Sequence, residues 1–209
     1  MSRRFVPRDK WKMKKWYEIL APAIFGNVVI GTTPADDPVK LIGRVIETTL
    51  YDLTGDISQV HVKLYFQVVE VKEDKGITRF KGHELARDYI RSLVRRKSSK
   101  ITGIFDVTTK DNYVLRLTVI ALTTYRCKSS QKRAIRRIMR DYLMERIPQL
   151  SFDELVNDIV MGKISQDIFE RAKKIYPLRR VEVYKSKLLY IPTPEGLKPA
   201  VVTAPIQNI

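Results

Sequence analysis

One cysteine and two histidines are all the soft metal ligands that this chain of 209 residues offers. Cys127 has no second thiol for an internal disulfide, and with His61 and His83 it falls short of a structural zinc set. A reducing, cytoplasmic setting follows. Long apolar runs are missing as well: residues 28–30 and 119–122 are far shorter than the ~20 residues that span a bilayer. The first ten residues are basic with no apolar stretch behind them, which is not the pattern of a secretory signal. Neither Gly-x-Gly-x-x-Gly nor Gly-x-x-x-x-Gly-Lys-Ser/Thr occurs, so the usual phosphate-cradling loops are absent. No internal repeat is visible, which excludes a solenoid.

Negative charge is also scarce. There are 39 Lys plus Arg against 23 Asp plus Glu, a net charge of +16, on an otherwise ordinary composition with 44% apolar residues. A chain of this size can bury ~70% of its unfolded surface, so a real core is expected and wholesale disorder is excluded. The excess is local. Residues 1–17, 87–100, 125–146 and 171–187 carry net charges of +6, +5, +6 and +6, which leaves the remainder at −7. Separated basic clusters on an acidic remainder point to several contacts along one polyanion, RNA before membrane.

Catalytic patterns fail in turn. His83-Glu84 opens a His-Glu-x-x-His zinc motif, but Arg87 stands at the second ligand position. Ser129-Ser-Gln-Lys132 fits Ser-x-x-Lys without the partner motifs of that chemistry, and a helix cap accounts for the serines. Asp36-Asp37 and Asp52 with Asp56 are acid pairs of the kind that hold Mg²⁺, yet they sit beside Pro or Gly, where Asp serves turns. Cys127, between Arg126 and Lys128, reads as a spectator thiol, and His61 as a strand residue. No catalytic residue, metal or cofactor is expected.

The coarse pattern is α+β. Val60, Val62, Leu64, Phe66 and Val68 alternate with polar neighbours, as in a long half-buried strand. Shorter strand signals lie at 24–31, 39–50, 101–108 and 113–124, with a hairpin turn at Lys110-Asp-Asn112, and alternation resumes over 180–190. Residues 32–38 and 72–76 read as loops. Helical stripes run from His83 to Lys97 and from Ser129 or Ser130 to Ile147. Ser151-Phe-Asp-Glu154 is a capping box opening a helix that Gly162 closes, and Ser165 reads as the cap of a fourth. The expected architecture is an antiparallel or mixed sheet, or a barrel-like core, flanked by about four helices. Its organisation is a basic arm over 1–17, a single RNA-binding domain over 18–190 and an extended tail over 191–209.

Three basic groups are candidate RNA contacts. In the arm, Arg3, Arg4, Lys10, Lys12, Lys14 and Lys15 surround Trp11, cations for phosphates and an aromatic for unpaired bases. Trp16 stands open between that role and anchoring the arm to the core. Arg95, Arg96 and Lys97 continue a row begun by Arg87 and Arg91. Arg133, Arg136, Arg137 and Arg140 project within roughly a 100° arc opposite an apolar stripe. Solvated helix faces normally mix signs, and no acid stands between Ser129 and Arg140. A basic amphipathic helix on a membrane is the weaker alternative, because a core would claim its apolar face.

The stretch Leu41-Ile-Gly-Arg-Val-Ile-Glu-Thr-Thr-Leu-Tyr-Asp-Leu53 resembles the signature of the archaeal and eukaryotic small-subunit ribosomal protein family called "S three a e". Gly43, Arg44, Glu47, Leu50, Asp52 and Leu53 fill its defined positions, with Thr49 where Ser or Cys is usual. The likeness extends to Trp16-Tyr17, Ala21-Pro-Ala23, Phe25 and Ile30-Gly31, then to residues 106–116, 131–139 and 175–178, most of 10–190 in all. The short stretch after Pro192 points to the archaeal branch. The resemblance implies a non-enzymatic constituent of the small ribosomal subunit, on the platform near the mRNA exit. Implied partners are small-subunit rRNA, other small-subunit ribosomal proteins and mRNA near the exit, with no membrane. It also implies a barrel-like sheet core with helices around it. Within the signature, Gly43 reads as a bend and Glu47 as a partner for Arg44. Alternatives are a Mg²⁺-dependent nucleic-acid-processing enzyme on Asp36, Asp37, Asp52 or Asp56, and a general nucleic-acid-binding protein.

Overall fold

The computed structural model describes residues 11, 12, 14–194 and 196–200. Among these residues the fold is α+β: nine strands in a mixed sheet that stays open and does not close into a barrel, and five helices. The described residues divide into two compact units, 11–46 with 66–79, and 47–65 with 80–200. The strands β4 (Val62–Lys72) and β5 (Lys75–Leu85) supply residues to both.

In the first unit, β1 (Lys15–Leu20) pairs antiparallel with β2 (Val29–Ala35) and parallel with the start of β5. Side chains alternate across β1, so Tyr17 and Ile19 go inward with Ala35, Leu41 and Val68. Pro34 and Pro38 predict a loop over 32–38. The structure instead runs β2 through Pro34, opposite Trp16. Proline has no N–H to give a ladder, and it is tolerated here because β2 pairs on one side only among the described residues. Gly43 makes the expected bend. At φ +87° it takes a left-handed conformation that glycine adopts without steric cost. Its N–H donates to the Val68 carbonyl at 2.9 Å, and its own carbonyl accepts from Gln67 Nε2 at 3.1 Å. Arg44 does not pair with Glu47. Its guanidinium donates to the Lys40 and Pro34 carbonyls and to Thr33 Oγ1 at 3.0–3.1 Å.

In the second unit, β6 (Lys100–Thr108) and β7 (Val114–Thr123) form the expected hairpin, in full register from Lys100↔Leu122 to Thr108↔Val114. Asn112 turns the chain at φ +61°. Next comes β8 (Leu178–Thr193), antiparallel to β7 along its length and to the end of β5 at Gly82↔Lys187. Residues 196–199, read from sequence as tail, form β9 against β8.

Helix α1 (Leu50–Thr54) interrupts what the sequence suggested as one strand over 39–50, of which only β3 (Val45–Thr49) is extended. Helix α2 is confined to Arg87–Leu93, because His83 and Glu84 belong to β5. Helix α3 (Ser129–Arg146) starts without a serine cap. Lys128 is its N-cap residue, and Gln131 Oε1 accepts the Lys128 N–H at 2.9 Å. The capping box of α4 (Phe152–Val160) is formed: Ser151 N–H donates to Glu154 Oε2 at 2.9 Å and Glu154 N–H to Ser151 Oγ at 3.3 Å. Gly162, φ +74°, turns the chain directly into α5 (Lys163–Lys173). Ser165 therefore lies inside α5, where its buried hydroxyl accepts the Val183 N–H at 3.1 Å and ties the helix to β8.

Candidate nucleic-acid interface

Helix α3 carries four of its arginines on one side. Ile135, Met139, Tyr142 and Leu143 are buried, with α3 packed on β6 and α5. Residues on the opposite side of the turn must therefore face outward. Arg133, Arg136, Arg137 and Arg140 are all exposed, and with Phe105 of β6 they line an open pocket of about 300 Å³. Arg136 is braced, its Nε donating to the Thr102 carbonyl at 3.0 Å. Arg140 leans on Asp141, Nη2 to Oδ1 3.0 Å. Among the described residues, Arg133, Arg136 and Arg137 form no ion pair. Their guanidinium donors keep the planar fork that takes phosphate oxygens in pairs.

The fourth basic stretch, 171–187, differs. Three of its seven cations form ion pairs: Arg171 Nη1 with Glu145 Oε2 at 2.7 Å, Arg180 Nε with Glu182 Oε1 at 2.6 Å, Lys185 Nζ with Glu84 Oε2 at 2.8 Å. Burial alone would raise the Glu84 carboxyl, but hydrogen bonds from Lys185 and Tyr184 outweigh it and hold the group below the usual carboxylate range. On α3, burial and then the bond to Asp167 push the Tyr142 hydroxyl well above an ordinary phenol, with the Arg171 guanidinium 4.8 Å from the Tyr142 ring centroid. This stretch spends much of its charge on its own fold.

Arg95, Arg96 and Lys97 are exposed, but they lie past the end of α2, in a turn where Lys97 takes φ +62°. They do not extend a helical row from Arg87 and Arg91. In the arm, Arg3, Arg4 and Lys10 lie outside the described residues. Trp11, Lys12 and Lys15 are exposed, and the Lys14 ammonium stands 4.6 Å from the Trp11 ring centroid. Trp16 is 61% exposed, whereas Tyr17 beside it is 3% exposed. The inward face of β1 is filled by others, so the core-anchor reading of Trp16 does not hold.

The acid pairs Asp36-Asp37 and Asp52 with Asp56 serve local structure. Asp52 closes the capping box of α1, accepting the Thr49 N–H at 2.9 Å and the Thr49 hydroxyl at 2.7 Å. Those bonds hold its carboxyl below the usual range. Asp56 accepts the Ser58 N–H at 3.0 Å, and Asp36 and Asp37 both face Lys40. Cys127 is buried.

Sequence reasoning missed Phe105. In the strand Ile101, Gly103, Phe105, Val107, the aromatic looks like one more inward residue. In the structure it is only half-buried, beside the four arginines of α3.

The sequence model of the Ribosomal S3Ae family matches residues 3–192. This chain belongs to the Ribosomal S3Ae family. Its similarity to named members is high and end to end. The small ribosomal subunit protein eS1 of Staphylothermus marinus is 73% identical over 205 residues, covering 98% of this chain and 97% of the relative. That of Desulfurococcus amylolyticus is 68% identical over 204 residues, covering 98% and 96%. That of Aeropyrum pernix is 58% identical over 204 residues, covering 96% and 95%. As a member of the S3Ae family, which its signature resembles, the chain is a ribosomal protein, and these relatives are archaeal. Within that S3Ae signature, Thr49 works as the helix cap that a serine at the same position would also make.

Proposed function

We propose that this chain is a structural, non-enzymatic constituent of the small ribosomal subunit in the cytoplasm. It binds small-subunit rRNA through the arm (Arg3, Arg4, Lys10, Trp11, Lys12, Lys14, Lys15), the turn at Arg95, Arg96 and Lys97, and the arginines of α3. It sits on the platform near the mRNA exit, against other small-subunit ribosomal proteins and within reach of mRNA. The observation that carries this reading is the α3 face. Four exposed arginines share one side of a helix, and three of them form no ion pair among the described residues. Such a face repels itself until a polyanion covers it. The named relatives, small ribosomal subunit proteins, supply the assembly.

The test is sedimentation of tagged protein with ribosomal subunits through a salt wash, alongside a nuclease assay with and without Mg²⁺. Co-sedimentation with the small subunit and no metal-dependent cleavage are the expected results. Protein that stays free of subunits, or that cleaves RNA only with Mg²⁺, overturns the reading.

A further inference from the structure

The pocket on α3 has a floor that phosphate binding alone does not need. Phe105 lies among Arg133, Arg136, Arg137 and Arg140, half-buried on the face of β6 that holds Ile101, Gly103 and Val107. Its ring folds back along its own strand. A Cβ added at Gly103 would stand 2.6 Å from two ring atoms of Phe105 and 3.5 Å from the Met139 sulfur. Glycine at 103 therefore leaves the space into which the ring settles, and Met139 of α3 closes that space from behind.

A phenyl ring kept partly in water forgoes the gain of burying it, so a purely phosphate-binding face gives no reason for one here. An aromatic face ringed by guanidinium groups suits a different ligand: a planar heterocycle that stacks on the ring while the phosphates on either side take the arginines. The opening, about 300 Å³, is at the small end of ligand pockets. Paired bases in an A-form helix are stacked on their neighbours and offer no free face. Arg136 is already fixed by Thr102, which orients one wall of the pocket before any ligand arrives.

Building on the RNA-binding reading above, we propose that Phe105 and the four arginines of α3 form a pocket for one unpaired RNA nucleotide, its base stacked on the Phe105 ring. The chain thereby prefers single-stranded or bulged RNA to duplex at this site.

The experiment measures fluorescence anisotropy of the full chain with a short single-stranded RNA and with a blunt RNA duplex of matched phosphate count. Phe105→Leu should weaken single-strand binding about tenfold, leave duplex binding unchanged, and leave the salt dependence of both unchanged. Phe105→Tyr, which keeps the ring, should bind like the parent. A 2-aminopurine in the single strand should report stacking with the parent and lose that signal with Phe105→Leu. Unchanged single-strand affinity in Phe105→Leu, or an equal loss for both RNAs, overturns the pocket while RNA binding by the parent stands. A parent chain that binds neither RNA removes the RNA-binding reading itself. Displacement by a polyglutamate peptide that weakens with Phe105→Leu as much as RNA does would reassign the pocket to acidic peptides and overturn the proposal.

Discussion

Ser186 and His83, 103 residues apart in sequence, fix each other's protons in the interior of the second unit. His83 Nε2 lies 2.9 Å from the Val183 carbonyl, which can only accept, so Nε2 carries the hydrogen. His83 Nδ1 must then accept, and the Ser186 hydroxyl, 2.6 Å away, donates to it. The same Ser186 oxygen accepts the backbone N–H of His83 at 3.0 Å. The imidazole is neutral, one tautomer only, with no lone pair left for a proton.

Protonating that ring breaks the Ser186 bond and leaves a charge in the core, and burial lowers its pKa from 6.5 to about 4. Above 6.5 the ring is neutral folded and unfolded, so stability does not depend on it. Between 6.5 and about 4 the unfolded chain takes up a proton that the folded one refuses, and stability falls with pH by up to about 3 kcal/mol. His61, half-buried and shifted in the same direction by burial, adds to the slope. Urea unfolding across that window measures it. Replacing His83 with leucine should remove most of the step, and an unchanged step would contradict the assignment.

Gly82 is a second point of close approach on the same pair of strands. A Cβ there would stand 2.3 Å from the Ser186 carbonyl oxygen and 3.3 Å from the Lys187 Cα, both backbone atoms with no freedom to swing aside. Gly82→Ala should cost about 1–3 kcal/mol and lower the melting temperature by several degrees. Gly31→Ala, with nothing within 4 Å of the new atom, is the control expected to melt like the parent.

Ser165→Ala tests the bond between α5 and β8. It strands the buried Val183 N–H without its acceptor, at a cost of about 1–3 kcal/mol. Ser129→Ala and Ser130→Ala, at exposed positions that cap nothing, should stay within about 0.5 kcal/mol of the parent. Chemical denaturation of the three variants side by side gives the comparison.

Salt titration separates free from engaged cations. Arg133→Gln and Arg137→Gln should each lower the slope of log affinity for rRNA against log salt by about one. Arg171→Gln should change it far less, because the Arg171 guanidinium already faces Glu145 at 2.7 Å. Equal effects at all three positions would mean that the α3 face holds no special share of the contacts.

What could be read from the sequence was whatever repeats with a period or obeys a local rule. The alternation appears from Val62 to Val68, with Val60 left exposed ahead of β4, and the hairpin turning at 110–112 and the Ser151–Glu154 box are both formed. So are the outward arginines of α3 and the buried stripe behind them. The misreadings have two causes: partners distant along the chain, and backbone acceptors. Ser165 looks like a cap until Val183 arrives from β8. His83 looks helical because Ala86, Tyr89, Ile90 and Leu93 keep helical spacing just beyond it, and only pairing with Ser186 extends it into β5. Arg44 finds backbone carbonyls, which side-chain patterns never display. The stretch 171–187 looks as open to a polyanion as 125–146, because two of the three acids that engage it, Glu84 and Glu145, stand far outside it, and only Glu182 lies within.

The position of β8 has a consequence for how the chain is made. Residues 178–193 lie between β5 and β7 in the sheet. While the polypeptide is being synthesised, the β6–β7 hairpin emerges early with one long edge bare, a template for any passing strand. That edge carries Leu115, Leu117 and Val119, fully buried in the finished fold. It is sealed only after α3, α4 and α5 have left the tunnel and β8 follows. Until then the β7 edge stays open, and a pause in translation before residue 178 prolongs that interval.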